Sequence, residues 1–496
     1  MNKCLSIILI LFVATFASAQ NKDFTINGDN VSYDKEQQLI HAEGNVAVEY
    51  KDILVFGRDI TYNAKTDMVH ARDGFTLNYE NISFEGESLD YKLKLRQGSA
   101  SEVSFAYQGL QLAGKKIDLE KDVFILKNAS FTTCDEPNPH YHVSAADLTV
   151  YPEYGWLVAY WAYFWLDRLP VLPMPTYIYD IYAEERERSN IPPFPDIGSN
   201  DEDGSYVHER FAWHIKRELS GTYSLTYAAK KGLGGGIEAD YILSNDSRGN
   251  VRFYTAGSDG LSAGLTHSLF FGEDVNARDR ESPFFSKPKR RRYELETMFS
   301  FRERINYERV SFLPGFVLRS RENDLAQSLV KYDYEIGTAR IFEENTLDLE
   351  RNLAKARVYK DFTDLPVGTI SPAVELDSRF YSSGGRWLKA TGGLKIRKSL
   401  ARNTQLGLGY FHYFKVSGAS PFNFENYRFS PLDRFTSELI FMLGKFGLGY
   451  ETSYFIDNWQ PEDLDYSIFF DMHCYNVKFK YRSLRQEFEL GFGLNT

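Results

Sequence analysis

Long alternation of apolar and polar residues in the C-terminal half most constrains how this chain can fold. The apolar face of one such stretch consists of Phe446, Leu448, Tyr450, Thr452, Tyr454 and Ile456. Strands that cross a bilayer have about 9–11 residues, apolar on the outward face and polar on the inward face. The chain is therefore predicted to be all-β, with a transmembrane antiparallel β-barrel over residues 206–496. Roughly 14–18 strands fit this stretch, given longer outer loops such as 273–292 and the usual even number.

The N-terminus predicts export. Residues 1–19 combine the basic Lys3 with the apolar run Leu5–Phe16 and the small residues Ala17-Ser18-Ala19, which is the pattern of a cleaved secretory signal peptide. The apolar run is too short for a membrane-spanning helix. A mean hydropathy of −0.39 excludes a bundle of transmembrane helices, and a net charge of −11 offers no basic surface for nucleic acid.

Two of the three cysteines remain after the predicted cleavage, because Cys4 lies in the signal peptide. An even number of cysteines in an oxidising compartment favours one disulfide, here between Cys134 and Cys474. Two unrelated buried thiols are the alternative, and cysteine counting leaves it open. Cys134, His140 and His142 could suggest a metal site, but a structural zinc site needs four ligands and no fourth is obvious. No metal and no cofactor are therefore expected.

Residues 24–130 contain an internal repeat. The segment Gly28–Tyr33 returns as Gly57–Tyr62 and again as Gly86–Tyr91, with an offset of 29 residues each time (57 − 28 and 86 − 57). Apolar and polar residues alternate between these segments, which indicates half-buried strands. Stacked strand pairs of this kind form an open roll with one apolar interior.

The interior of this roll allows two interpretations. One is a packed core, which periodicity alone favours, and the other is a groove for acyl chains that is open along one side. Valine, phenylalanine and leucine serve both equally. The candidate groove residues are Val46, Val48, Phe75, Leu77, Phe84, Val103 and Phe105.

The junction between the two halves carries an ordered set of motifs. Thr132–Asp135 precedes His140–Ala145, and the segments Leu169–Pro175 and Glu185–Pro193 follow. Together they resemble the lipopolysaccharide-assembly outer membrane protein family (LptD, also called organic solvent tolerance protein, OstA). The residues that carry the motif are Thr132, Thr133, Cys134, Pro170, Pro173 and Pro175. The resemblance covers residues 24–215 well and the remainder mainly by pattern.

The resemblance implies an organisation and a function. It implies a periplasmic OstA-like β-jellyroll over residues 20–180, a linker over 181–205 and a barrel in the cell outer membrane over 206–496. Family members receive lipopolysaccharide, or a related glycolipid, from periplasmic bridge proteins in an apolar groove and insert it into the outer leaflet through a lateral opening in the barrel. A plug lipoprotein is a further implied partner, although this barrel is short for the family.

The lateral opening would lie between the first and last barrel strands, near residues 206–217 and 486–494. The candidate seam residues are Phe211, Trp213, Phe488, Leu490 and Phe492. With 486–494 as a last strand that runs towards the periplasm, the turn Asp471–Cys474 is periplasmic and resembles the family's cysteine position near the end of the barrel. The disulfide would then tie the jellyroll to the barrel.

Two other functions stay open at this point. A passive porin with a periplasmic appendage would combine a filled roll with an open polar pore, whereas an envelope scaffold would use the barrel only as an anchor. Enzymatic activity is not expected, because no nucleophile elbow, paired metal motif or phosphate loop stands in a supporting strand–helix context.

Overall fold

A computed structural model describes residues 24–79, 82–120, 123–152, 154–183, 190, 194–257, 260–274, 291–325, 330–344, 347–363 and 365–494. The predicted signal peptide at 1–19 lies outside these residues, as does most of the 185–193 motif. In the part described, the chain is almost entirely β-strand, and no helix is long and apolar enough to span a membrane. Two compact units are present, one with the residues up to Ala106 together with 118–120, the other with 107–117 and the residues from 123 onwards.

Eight antiparallel strands form the first unit. They are β1 (Phe24–Asn27), β2 (Asn30–Asp34), β3 (Leu39–Tyr50), β4 (Ile53–Asn63), β5 (Met68–Tyr79), β6 (Ile82–Gly86), β7 (Ser88–Lys92) and β8 (Gln97–Tyr107). Their spatial order is β1-β3-β4-β5-β6-β8, while β2 also pairs with β3, and β7 pairs with β5 and β8. Because β1 and β2 share one partner, they act as a single strand with a break at Gly28 and Asp29.

The 29-residue repeat has an origin in the backbone. Gln38, Asp67 and Arg96 end successive turns with left-handed φ angles of 55°, 57° and 54°, and their spacing is 29 residues (67 − 38 and 96 − 67). A second set with the same spacing has positive φ where the pairing register of the long strands shifts: Gly44, Asp73 and Glu102. Each repeat is therefore one tight turn followed by one bend.

Five further antiparallel strands follow, and all but the last two residues of the first of them belong to the second unit. They are β9 (Leu110–Leu119), β10 (Phe124–Thr132), β11 (Tyr141–Tyr151), β12 (Trp156–Leu166) and β13 (Leu169–Asp180), paired in sequence order. β13 is the edge strand, and its motif residues Pro170, Pro173 and Pro175 are exposed. Proline has no N–H to donate to a neighbour, so an edge strand is where a sheet tolerates it.

Eighteen further strands close into an antiparallel barrel. They are β14 (Asp196–Asn200), β15 (Gly204–Lys216), β16 (Leu219–Ala228), β17 (Gly232–Ser244), β18 (Ser247–Ala256), β19 (Leu261–Asp274), β20 (Arg291–Ile305), β21 (Glu308–Asp324), β22 (Lys331–Glu343), β23 (Leu347–Tyr359), β24 (Thr369–Tyr381), β25 (Arg386–Ala401), β26 (Thr404–Gly418), β27 (Arg434–Leu443), β28 (Phe446–Phe455), β29 (Gln460–Asp471), β30 (Tyr475–Arg482) and β31 (Glu487–Leu494). The all-β prediction is confirmed, with a strand number at the top of the predicted range.

The barrel begins upstream of the predicted start at 206, inside the predicted linker 181–205. Its first strand, β14, has five residues, and a strand of that length shows too little alternation to be recognised in the sequence. The compact units also divide within the predicted jellyroll 20–180, because β10–β13 group with the barrel. The first barrel strand and the strands that contact the barrel therefore both precede residue 206.

Side chains alternate across the barrel wall. On β24, Leu376 and Phe380 point outwards and are 49% and 54% exposed, whereas Asp377 and Arg379 pair with each other inside, with 2.9 Å between Oδ2 and Nη2. An apolar outer surface around a charged interior is the arrangement of a barrel that spans a membrane.

Strand alternation assigns each turn to one of two rims. The turn with Cys474 joins β29 to β30, and the end of β19 and the start of β20 lie on the same rim. The predicted outer loop 273–292 falls mostly on residues 275–290, which lie outside the described residues. Its described ends lie on the rim of Cys474, whereas the prediction placed the loop on the opposite side. The opposite rim carries the connection 419–433 with the short helix α1 (Asn423–Asn426).

Candidate functional site

A disulfide ties the strands that precede the barrel to the barrel rim. Cys134 follows β10, Cys474 lies between β29 and β30, and their Cα atoms are 5.2 Å apart. Both residues are buried. The predicted pairing is confirmed, and the alternative of two unrelated thiols is excluded. The bond joins positions 340 residues apart in the sequence, so it fixes the last strands of the barrel against β10.

The two motif threonines hold Cys134 in place. The Thr132 hydroxyl donates to the carbonyl oxygen of Tyr141 at 2.7 Å and accepts the Cys134 N–H at 3.0 Å. The Thr133 hydroxyl lies 2.6 Å from the Tyr141 hydroxyl. The Thr-Thr-Cys sequence therefore positions the sulfur through hydrogen bonds that alanine or valine would not make.

The histidines of the junction separate into two groups. The His140 Nδ1 lies 3.6 Å from the Cys134 sulfur and 3.5 Å from the Cys474 sulfur. His142 faces elsewhere and stacks on Trp165, with 5.5 Å between ring centroids. Burial lowers the pKa of His142, so this imidazole is neutral near pH 7. Of the two histidines, only His140 therefore lies beside the sulfurs.

The same group of strands contacts the barrel at a second place, the end of β15. The Tyr160 hydroxyl of β12 lies 2.7 Å from the Nδ1 of His214. Burial raises the pKa of Tyr160, so its hydroxyl stays protonated near pH 7. Nearby, the Arg217 guanidinium lies 4.1 Å from the ring centroid of Tyr154, and β13 lies against β15.

The first and last barrel strands meet over a short ladder. β14 pairs with β31 at three positions: Ile197 with Leu490, Gly198 with Glu489 and Ser199 with Phe488. By comparison, β30 pairs with β31 at eight positions, and residues 209–216 of β15 are not paired with β14. A Cβ on Gly198 would lie 2.7 Å from the carbonyl oxygen of Phe488, so the strands approach closely only because glycine stands there.

The candidate seam residues lie on both sides of β14. Phe211 and Trp213 belong to β15, and the other three belong to β31. Phe492 lies beyond the three-residue ladder, with its ring 4.3 Å from Phe194 and 5.8 Å from Phe164 of β12. An aromatic cluster therefore takes the place of strand pairing at the end of the seam near the disulfide.

A cavity of about 490 Å³ lies between the strands before the barrel and the barrel's inner wall. Trp156, Ile178 and Asp180 line it from β12 and β13. Lining residues from the barrel wall include Arg210, Glu238, Asp240, Asn250 and Arg252. The cavity joins an aromatic and aliphatic surface to a charged one, which suits an amphiphilic molecule.

The candidate groove residues all lie inside the first unit. Each of the seven is at most 5% exposed, and the rings of Phe84 and Phe105 are 4.7 Å apart. They form one apolar interior as the alternation predicted. The use of that interior as a lipid groove stays a prediction.

A loop folds into the barrel lumen at the rim opposite the disulfide. Phe422 and Phe424 from this connection pack with inward-facing residues of β21, β22, β24 and β25, namely Val310, Phe312, Ala339, Ile341, Tyr381 and Trp387. The carboxylate of Glu343 is fully buried and accepts the backbone N–H groups of Asn423 at 2.9 Å and Phe424 at 2.8 Å.

A second carboxylate anchors the same loop. Glu425 pairs with Arg351 at 2.6 Å and Arg379 at 2.8 Å, and it accepts the Tyr381 hydroxyl at 2.6 Å. Sequence reasoning missed both glutamates. In the sequence, a glutamate within an alternating strand indicates only a polar residue on the inner face of the barrel. The loop residues that Glu343 binds are about 80 positions away in the sequence.

Comparisons with known proteins point to one family. No protein-family profile matches the chain. The LPS-assembly protein LptD of Pseudoalteromonas translucida (strain TAC 125) is 28% identical over 143 residues, which are 28% of this chain and 19% of that protein. The LPS-assembly protein LptD of Haemophilus influenzae (strain 86-028NP) is 24% identical over 226 residues, 44% of this chain and 26% of that protein. The matched stretches thus span about a fifth to a quarter of these relatives.

Among solved structures, a bacterial polysaccharide outer membrane secretin is 8% identical over 61% of this chain and 97% of that one. The TM-score of this superposition is 0.32, and a score this low supports no conclusion about function. The similarity to proteins named LPS-assembly protein LptD, together with the closed β-barrel and the Cys134–Cys474 disulfide, supports membership of the LPS-assembly outer membrane protein (LptD) family.

Proposed function

We propose that this chain inserts lipopolysaccharide, or a related glycolipid, into the outer leaflet of the outer membrane. In this proposal a periplasmic jellyroll receives the lipid from bridge proteins in its apolar interior. The acyl chains pass sideways between β14 and β31, and the sugars pass through the polar lumen. The division follows from solvation, because charged sugars cannot cross hydrocarbon unshielded and acyl chains gain nothing from a polar lumen.

The short ladder between β14 and β31 is the observation that carries this proposal. Three residue pairs correspond to about three hydrogen bonds, each with a net contribution of about 0.5–1.5 kcal/mol, so separating them costs about 2–5 kcal/mol. The eight pairs between β30 and β31 would cost more than twice as much on the same scale. If the barrel opens sideways, this ladder is the place where opening costs least.

The junction supports delivery of lipid at that place. The disulfide and the Phe164–Phe492 contact hold β10–β13 on the β31 side of the seam. The Tyr160–His214 contact holds the same strands on the β15 side. Strands attached on both flanks stay beside the seam while the ladder between the flanks opens. Acyl chains that leave β12 and β13 would therefore meet the seam directly.

The charges of the inner wall support passage of the sugars. Next to the junction, the Arg252 Nε lies 2.5 Å from a Glu303 carboxylate oxygen, and the Asn250 side chain donates to Glu238 at 2.6 Å. Mixed acidic and basic groups offer partners for both hydroxyl and phosphate groups of a glycolipid. The lumen is thus a polar path with replaceable hydrogen bonds.

A passive porin is the second candidate, and the loop over residues 419–433 is the observation that favours it. A loop that folds into the lumen narrows a diffusion pore and would set its size limit. A diffusion pore, however, has no use for a short seam beside a covalent tie to preceding strands. The same loop occupies lumen space that a plug lipoprotein would use, so binding of such a plug stays a prediction.

Depletion of the protein tests the proposed function. Surface lipopolysaccharide should fall within a few generations, measured by labelling intact cells, and it should recover when the wild-type chain is restored. A barrel that only anchors a scaffold or conducts solutes would leave surface lipopolysaccharide unchanged. Unchanged surface levels together with altered uptake of small solutes would therefore refute the conduit and favour the porin.

A further inference from the structure

The cysteines of the junction are not alone. In the described part of the chain, Cys134, His140, His473 and Cys474 each present one metal-ligating atom, and these four atoms all lie within 4.8 Å of one another. Two come from the segment after β10, and two come from the turn between β29 and β30. We propose that, when the disulfide is reduced, these four residues bind one Zn²⁺ ion.

The distances fit a tetrahedral site. Zinc–sulfur bonds of about 2.3 Å and zinc–nitrogen bonds of about 2.0–2.1 Å place sulfur and nitrogen about 3.6 Å apart along a tetrahedral edge. The His140 Nδ1 already lies 3.6 Å and 3.5 Å from the two sulfurs. The His473 Nδ1 lies 3.1 Å from the Cys474 sulfur, so a shift of about half an ångström would place it on such an edge.

Reduction supplies the one larger movement that the site needs. Two thiolates on one zinc ion lie about 3.8 Å apart along a tetrahedral edge, whereas the sulfurs are bonded to each other in the disulfide. Once that bond is reduced, rotation about the Cα–Cβ bond of either cysteine separates the sulfurs. Binding then takes one Zn²⁺ ion and releases one proton from each thiol.

An outer carboxylate supports the role of His473. The His473 Nε2 lies 3.6 Å from an Asp135 carboxylate oxygen, on the side of the ring away from the sulfurs. Metal-bound histidines usually donate their second ring N–H to a carboxylate or carbonyl group, which fixes the tautomer that binds the ion. The His473 side chain is 54% exposed, so it is also the side from which an ion enters.

The sequence alone concealed this site because its halves are more than 330 positions apart. Cys134 with His140 is half a site, and His473 with Cys474 is the other half. His473 lies in the cluster of ligating atoms, whereas His142 faces away and stacks on Trp165. Zinc binding and disulfide formation are thus two alternative ways to join the segment after β10 to the turn between β29 and β30.

Oxidation converts the zinc-bound form into the disulfide form. A small-molecule or protein disulfide accepts two electrons from the two thiolates and leaves as two thiolates, which take protons from water. The Cys134–Cys474 bond forms, and Zn²⁺ is released. Because zinc holds the attacking thiolates, it should slow this oxidation.

The test uses the tag-free, full-length protein in detergent, reduced and then equilibrated with Zn²⁺ or Co²⁺. We expect one zinc per reduced chain, none after reoxidation, and the visible absorption of tetrahedral cobalt bound by thiolates. His140→Ala and His473→Ala should weaken binding beyond the about 10–100-fold that outer-shell changes cost. His142→Ala is the matched control and should bind as wild type.

A second readout does not depend on affinity. Zinc should slow disulfide formation by oxidised glutathione, followed on non-reducing gels, and a chelator should restore the rate in wild type and in His142→Ala. Barrel folding of each variant is checked by heat-modifiable migration. Failure of folded, reduced wild-type protein to bind zinc would overturn the proposal, as would an equal loss in His142→Ala and His473→Ala or an octahedral cobalt spectrum.

Discussion

The Glu343 carboxylate should decide whether the inward loop stays in the lumen. It is fully buried and accepts two backbone N–H groups of the loop, at 2.9 Å and 2.8 Å. Hydrogen bonds to a charged group contribute about 1.5–3 kcal/mol each, so Glu343→Ala removes about 3–6 kcal/mol from loop docking. A loss of about 3 kcal/mol already shifts the docked-to-undocked ratio by about 100-fold.

Single-channel conductance in planar bilayers measures the effect. Glu343→Ala should conduct more than wild type, and residues 419–433 should become accessible to protease in the folded barrel. Glu344→Ala is the matched control, because it removes the same charge one position later, where the side chain is 33% exposed and pairs with Arg302 at 3.1 Å. If Glu343→Ala folds and conducts like wild type and Glu344→Ala, Glu343 does not hold the loop in the lumen.

Three further predictions concern the junction. Cys134→Ser and Cys474→Ser should each abolish the shift between reducing and non-reducing gels that wild type shows; a wild type without this shift would contradict the disulfide. Thr132→Val should lose two hydrogen bonds, about 1–3 kcal/mol, seen as a lower Tm of the reduced protein, whereas a Tm equal to wild type would count against this role. Tyr160→Phe should lose one hydrogen bond to His214, about 0.5–1.5 kcal/mol, and protease cleavage between β13 and β14 should increase. Tyr163→Phe is the control, because Tyr163 is an exposed tyrosine of the same strand.

Alternation and repeats predicted the architecture because both are local properties. A period of two is visible in any strand long enough to cross a membrane, and the 29-residue repeat followed from backbone turns at Gln38, Asp67 and Arg96. The disulfide was predictable because only two cysteines remained to pair. These features need no knowledge of how distant segments approach.

The features that the sequence did not predict depend on distant partners. β14 has five residues and is a barrel strand only because β15 and β31 flank it. Glu343 and Glu425 anchor the loop inside the barrel, and no spacing of residues in the sequence predicts these contacts. His473 was overlooked as a partner of Cys134 because the two become neighbours only through the closed barrel.

Locking the seam tests the lipid conduit most directly. Ile197→Cys with Leu490→Cys would place a disulfide across a direct pair of the β14–β31 ladder, and Leu448→Cys with Ile468→Cys would place one across an outward-facing pair of β28 and β29 as the control. Cells that depend on either variant are assayed for newly inserted surface lipopolysaccharide after both cross-links are confirmed on gels. The cross-link between β14 and β31 should stop insertion, whereas insertion should continue in the control. Normal insertion through a barrel with this cross-link fully formed would contradict passage of lipid between β14 and β31.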